Sequence, residues 1–180
     1  MKLMIASDLH GSAYHCRRLL DLYRREQAQR LILLGDLLYH GPRNPLPQEY
    51  DPPAVSAMLN AMADQLLCVR GNCDAEVDQM VLGFPMMADL ALLAFDGLTI
   101  HATHGHLHGP DDPPPLRSGD HLLCGHFHVP VCRDCGTYTY WNPGSVSLPK
   151  EDTPHSCMVV EDGHPLWLDL STGTAFAPQT

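Results

Sequence analysis

Asp8 and His10 stand two residues apart where the apolar run Lys2–Ala6 gives out. Along an extended backbone, residues i and i+2 point to the same side, so a carboxylate and an imidazole face one object. Metal-capable side chains recur where later apolar runs end: Asp36 after "RLILLG", Asn72 after "LLCVRG", His104 after "LTIHAT", and His126 with His128 in "CGHFH". This is a set of carboxylate, carboxamide and imidazole groups with no thiolate among them. Such mixed N/O donors suit Mn, Fe or Zn better than Ca. A lone aspartate after a strand is an ordinary turn former or helix cap. That reading does not explain why the same chemistry returns at successive strand ends.

The elements that must position these groups are legible in outline. Residues 2–6, 30–36 and 66–74 read as short buried strands. Ser12 can cap a helix whose apolar positions Cys16, Leu19, Leu20 and Tyr23 follow helical spacing. A proline-rich loop, "HGPRNPLPQEYDPP" (40–53), precedes a second amphipathic helix carrying Val55, Met58, Leu59 and Met62. The first half is thus βαβαβ, with parallel strands and right-handed crossovers, and ligand sites in such sheets lie beyond the carboxyl ends of the strands. In the second half, Asp96-Gly97 and Asp162-Gly163 mark hairpins, and 121–126, 137–142, 156–162 and 165–170 read as further strands. The expectation is one domain over residues 1–180, an α/β half packed on a more antiparallel half.

Composition narrows the function classes. The 180 residues are 44% hydrophobic and 18% charged, which describes a globular chain rather than a disordered one. A net charge of −10, with no basic run longer than a pair, argues against binding duplex nucleic acid or an anionic membrane surface. A phosphate-bearing substrate stays compatible, because bound cations reverse the local sign. The N-terminal apolar stretch is too short for a signal peptide, and no span of about 18 apolar residues exists. Seven scattered cysteines, an odd number, suit reduced thiols in the cytoplasm better than a disulfide framework. Seven of the 12 histidines fall between His101 and His128, so composition directs attention to that segment.

The ordered blocks D-x-H (Asp8, His10), G-D (Gly35, Asp36), G-N-x-D (Gly71 to Asp74), T-H (Thr103, His104) and G-H-x-H (Gly125 to His128) resemble the calcineurin-like metallophosphoesterase superfamily. The likeness is strongest to its small bacterial YfcE-type phosphodiesterases, also through "HGPRN" (40–44), "RGNCD" (70–74), "THGH" (103–106) and "NPGSVS" (142–147). It runs from Lys2 to about Lys150. It implies an αββα sandwich of two stacked mixed sheets flanked by helices, with the site at one sheet end. It further implies a two-metal centre: Asp8, His10 and His128 on one ion, Asn72, His104 and His126 on the other, and Asp36 bridging. Two such ions about 3.5–4 Å apart polarise phosphoryl oxygens, orient the ester in line and lower the pKa of a shared water. Four protein ligands per ion leave room for a bridging hydroxide and a substrate oxygen. Near-octahedral coordination favours Mn, with Fe, Zn, Ni and Mg as the other candidates.

Most of the superfamily resembles G-N-H-[DE] at the third block, where this chain has Cys73. That histidine is thought to assist the phosphate and protonate the leaving oxygen, whereas a thiol is a weak donor. Cys73 therefore either packs beside Asn72 or takes a weaker catalytic part, and both readings favour good leaving groups. Asp74 completes the block and, with Asn72, is a further catalytic candidate. His106 is a candidate for touching substrate or supplying a proton. Arg43, with His40 in the long loop after Asp36, either grips a phosphate oxygen or salt-bridges within its loop. Cys132 and Cys135 form a C-x-x-C without a second pair at zinc-ribbon spacing, so "RDCG" reads as a turn. The leading expectation is a metal-dependent hydrolase of small phosphodiesters. Its rivals are a phosphomonoesterase on the same site and a non-catalytic scaffold resembling the retromer scaffold subunit. A homo-oligomer is compatible with all of these.

Overall fold

Strand β1 (Lys2–Ala6) is buried from Leu3 onward and alternates its side chains between two apolar environments. In this computed structural model, which describes all 180 residues, β1 pairs in parallel with β2 (Arg30–Leu33), and β2 with β3 (Leu66–Cys68). Helices α1 (Ala13–Glu26) and α2 (Pro52–Asn60) make the crossovers. The Ser12 hydroxyl accepts from His15 N at 3.3 Å to start α1, and Asp51 accepts from Ala54 N at 3.1 Å to start α2, in each case satisfying a free N–H of the first turn. Helix α2 stops at Asn60, so Met62 packs from the turn that follows it.

The C-terminal strands correct the expected division into halves. Strand β9 (Ser156–Glu161) pairs antiparallel with the free side of β1, and β10 (His164–Asp169) and β11 (Ala175–Phe176) follow. They complete the first sheet in the order β11-β10-β9-β1-β2-β3. The reason lies in β1 itself. A strand buried on both faces leaves costly unpaired backbone groups unless both of its edges are paired.

The second sheet contains β4 (Leu90–Phe95), β5 (Leu98–Thr103), β6 (His121–Leu123), β7 (Pro130–Asp134) and β8 (Thr139–Pro143), in the order β4-β5-β6-β8-β7. The hairpin at Asp96-Gly97 forms as expected. The sheet is mixed rather than mainly antiparallel: β5 with β6 and β6 with β8 run parallel. This orientation matters for the site, because it brings the carboxyl ends of β5 and β6, and with them His104 and His126, to the same edge. Cys132 lies in β7 and Cys135 in the turn after it, where its N–H donates to Tyr138 O at 2.9 Å. Strand β11 and the short helix α3 (Glu76–Gln79) have no signal in the sequence reading.

The two sheets stack as the resemblance implied. Leu3, Ile5, Ile32 and Leu34 from the first meet Ile100, Leu123 and Trp141 from the second. On the other face of the first sheet, Met4, Ala6, Leu31 and Leu33 lie beneath Cys16, Leu19 and Leu20 of α1 and Val55 and Leu59 of α2. Leu122 and Tyr140 on the outer face of the second sheet are covered by Leu116 and Tyr138.

His15 on α1 carries a pH dependence. Its ring stacks on His155 with centroids 4.1 Å apart, and Ser12 Oγ lies 2.9 Å from its Nδ1. Burial pushes its pKa down to about 4, with His155 and Arg18 adding to the shift. An unfolded histidine titrates near 6.5, so between those values the unfolded chain binds the extra proton and stability falls as pH falls. At pH 5 the linked loss is about 2 kcal/mol. Urea unfolding at pH 7 and pH 5 is expected to show that much more acid destabilisation in the native chain than in His15→Asn. Equal losses in the two proteins would rule this linkage out.

Candidate metal centre

Five of the seven candidate ligands have left-handed backbone: Asp8 at φ 60°, His10 at 48°, Asp36 at 55°, and His126 and His128 at 64°. Non-glycine residues rarely adopt that region, and such strain concentrates at functional sites. The surroundings enforce it. Ser145 and Ser147 both donate their hydroxyls to Asp8 O, at 3.1 and 2.9 Å, and Val146 N donates to Ser7 O at 3.0 Å. The "NPGSVS" segment is thus a clamp that twists Asp8 out of β1. Asp74 performs the same task for Asp36: its carboxylate accepts from the backbone N–H groups of Asp36, Leu37 and Gly71 at 2.8, 2.9 and 2.7 Å. Burial pushes its pKa up to about 6 against those three hydrogen bonds.

The clamped side chains converge. Asp8 Oδ1 lies 3.2 Å from His128 Nε2 and 3.7 Å from His10 Nε2. Asp36 Oδ2 lies 3.7 Å from His10 Nε2 and 3.5 Å from His104 Nε2. Asn72 Oδ1 is 3.0 Å from His104 Nε2. His126 stands with its ring centroid 5.1 Å from that of His104, and its backbone N donates to Asp8 Oδ2 at 3.1 Å. All seven sequence-predicted ligands therefore border one site, with Asp36 at its centre.

The donor chemistry fits divalent cations. The Nδ1 atoms of His10, His104 and His128 face the carbonyl oxygens of Tyr39, Leu34 and Leu148 at 2.8, 2.6 and 2.5 Å. A carbonyl only accepts, so each Nδ1 carries the hydrogen and each Nε2 presents a lone pair. Two of those lone-pair atoms, His10 Nε2 and His128 Nε2, sit 3.4 Å apart, and the buried Asp8 Oδ1 has no hydrogen-bond partner. Lone pairs converging in this way repel one another unless a cation lies among them. Burial lowers the pKa of His10, and burial with the neighbouring His104 takes His126 down to about 4, which keeps both imidazoles neutral as ligands must be. Burial opposes ionisation of Asp8, but the His128 contact and the adjacent histidines hold its carboxyl below its ordinary value. Asp8 raises His128 in spite of its burial, so a proton and a metal ion compete for its Nε2.

Comparison with known proteins shows the family of the chain. Residues 1–162 match the family model described as the calcineurin-like phosphoesterase superfamily domain. The chain belongs to that superfamily. Over 156 residues it is 48% identical to the phosphodiesterase YfcE of Escherichia coli (strain K12), covering 87% of this chain and 85% of that protein. The solved structure of YfcE, described as a phosphoesterase from E. coli, superposes with a TM-score of 0.96 at 44% identity, over 98% of this chain and 97% of that one. Vps29 of Entamoeba histolytica, solved in complex with zinc, is similar in fold alone, with a TM-score of 0.60 at 18% identity, over 98% of this chain and 96% of that one.

Around this candidate centre the remaining candidates are arranged unevenly. Cys73 N donates to Asp36 Oδ1 at 2.8 Å, and the Cys73 thiol lies with His10 and Asp36 atoms in a group spanning less than 4.8 Å. The sequence pattern, whose donors include no thiolate, gives no sign of this proximity. Burial and the Asp36 carboxylate push its pKa up to about 12, which keeps it a neutral thiol. His106 stacks edge-on against His104 at 5.3 Å with its Nδ1 buried and unpartnered. Arg43 makes no ion pair within its loop; it borders a polar cavity of about 70 Å³ with Asn44, Asn72, His126, His128 and Lys150. Lys150 escaped the sequence reading because it belongs to no motif. The signal for it is its place just beyond the "NPGSVS" clamp, where its backbone N donates to His128 O at 3.1 Å.

Proposed function

We propose that the protein is a metal-dependent phosphodiesterase with a dinuclear centre. Asp8, His10 and His128 hold one ion, Asn72, His104 and His126 the other, and Asp36 bridges them. The observation that carries this reading is the convergence of three lone-pair imidazole nitrogens and two carboxylates at 3.2–3.7 Å, together with the likeness to a curated phosphodiesterase. When bound, two divalent ions polarise the phosphoryl oxygens, hold the ester in line and activate a water. Mn is favoured, and Fe, Zn, Ni and Mg are the other candidates. The substrate is a small phosphodiester. Seven free cysteines favour the cytoplasm as the compartment, and no helix is long and apolar enough to cross a membrane.

The chain's own groups then divide the work. Asp74 and the serine clamp hold Asp36 and Asp8 in strained geometry before substrate arrives, so no reorganisation is needed in the transition state. Arg43 and Lys150 supply positive charge to the nonbridging oxygens from the polar cavity. Cys73, a neutral thiol, donates weakly, which ties the activity to leaving groups that need little proton help. The reading is tested by stripping the protein of metal and adding back Mn, Fe, Zn, Ni or Mg against a panel of aryl diesters and monoesters. Diester hydrolysis restored by metal supports it. Monoester hydrolysis alone would make the protein a phosphatase, and no hydrolysis with any metal would favour a scaffold.

Two further results are expected. Arg43→Ala should lower kcat/KM by about 10- to 100-fold, as loss of one charge-assisted phosphate contact does, while metal content by atomic absorption stays the same. Unchanged kinetics would remove Arg43 from the site. Cys73→His should raise kcat on alkyl diesters by about 10²-fold, the lower range of general acid catalysis, and raise it little on p-nitrophenyl esters. The check is the slope of log kcat against leaving-group pKa. A native slope that is already flat would assign the proton to another group, with His106 the nearest candidate.

A further inference from the structure

Beside the polar cavity runs a second and larger one. This groove of about 650 Å³ is walled by Tyr39, Tyr50, Pro52, Pro53, Val77 and Val81. Its size is that of a pocket for a small organic group. It holds no lysine or arginine. The carboxylate of Asp78 at its border is occupied as a cap, accepting from Ala75 N at 2.8 Å. Tyr39 is 42% exposed, Val77 63% and Val81 53%, so an apolar surface is left open next to a site built for anions.

Two connections tie this groove to the reacting centre. Cys73 lines both cavities, and its backbone N is fixed to Asp36 Oδ1. Tyr39 offers its ring to the groove while its carbonyl accepts from His10 Nδ1 at 2.8 Å. The apolar wall is therefore indexed, through a single residue on each side, to two of the metal-site side chains. Asp36, Arg43 and Lys150 border the polar cavity, and that cavity meets the groove at Cys73.

We infer that the groove binds the ester group that remains on phosphorus, and that this group is uncharged and apolar, about the size of a phenyl ring. The inference rests on the phosphodiesterase reading of the same site. Charge decides which ester group goes where. In hydrolysis, water adds to phosphorus, the bond to the leaving oxygen breaks, and that oxygen departs with the electron pair. An oxygen gaining negative charge is stabilised beside Arg43 and Lys150; the groove offers it no cation, only the neutral side-chain donors of Tyr39, Tyr50, Ser56 and Cys73 and the repelling carboxylate of Asp78. The leaving group thus faces the polar cavity and the retained group faces Tyr39 and Val77. A second phosphate in the groove is disfavoured, since no cation lines it.

The test compares methyl p-nitrophenyl phosphate with phenyl p-nitrophenyl phosphate, which share a leaving group, on Mn-loaded protein. A well-filled apolar pocket discriminates by about tenfold or more, so kcat/KM for the phenyl ester should exceed that for the methyl ester by at least that factor. The variant Val77→Asn/Val81→Asn replaces two exposed wall residues without adding charge. It should lower the phenyl-to-methyl ratio at least fivefold and leave hydrolysis of the methyl ester unchanged. A ratio equal in variant and native protein overturns the inference while leaving the phosphodiesterase reading intact. Absence of hydrolysis of either ester by the native protein overturns both. An unchanged ratio with a loss of self-association in sedimentation would instead assign the groove to contact between copies of this chain, and also overturns the inference.

Discussion

Asp36→Asn is expected to reduce turnover of an aryl phosphodiester by about 10³-fold or more while leaving the fold in place. Asp36 approaches both groups of ligands through one oxygen, with Oδ2 at 3.7 Å from His10 Nε2 and 3.5 Å from His104 Nε2. Asparagine keeps an oxygen to accept from Cys73 N, a contact now 2.8 Å long, and nearly preserves volume. What it removes is the negative charge that offsets the repulsion of two cations. A readout that a merely structural role would not move separates the causes. Metal-stripped variant and metal-stripped native protein should melt within about 2 °C of each other, a shift corresponding to about 0.5–1 kcal/mol, but added Mn should raise Tm only in the native protein. Near-normal turnover with Mn would refute the dinuclear account.

Gly71→Ala is expected to have the next largest effect. A Cβ at Gly71 would overlap Asp36 Oδ1 and the Asp36 backbone N, and one at Gly35 would overlap Gly71 N. The two motif turns pass so closely that neither tolerates a methyl group, and at Gly71 the obstacle includes backbone. Overpacking of this kind costs about 1–3 kcal/mol, and a displacement of the Asp36 carboxylate by even 1 Å is worth about 10²-fold in rate. Gly83→Ala is the matched control, because its nearest neighbour, Asn60 Oδ1, would be 3.5 Å from the new carbon, an ordinary contact. Comparable stability and activity for the two variants, measured by thermal melting and by kcat on one aryl diester, would contradict the close approach of the two turns.

The candidate ligands were legible because each lies immediately after an apolar run short enough to recognise as a strand, and because parallel strands deliver their ends to one edge. The backbone strain that shapes the site was not. Nothing about aspartate or histidine as residue types announces φ near +60° at Asp8, His10, Asp36, His126 and His128; that comes from the serine clamp and Asp74, which lie remote in sequence. The sheet order was hidden for a related reason. Strands β9 and β10 read as a hairpin by local turn chemistry, but their attachment to β1 depends on which buried edge is left unpaired, a property of the whole packing. The apolar groove is similarly composite. It joins the proline-rich loop to residues 73–81, each a polar, loop-like segment when read alone. Lys150 and the thiol of Cys73 reach the site by the same kind of long-range folding.

The most direct measurement is a crystal structure of the protein soaked in Mn, with anomalous scattering recorded at the manganese edge. The account predicts two peaks about 3.5–4 Å apart, with Asp36 between them, Asp8, His10 and His128 around one, and Asn72, His104 and His126 around the other. A single peak at saturating Mn, or two peaks with the Asp36 carboxylate turned away from both, would contradict it.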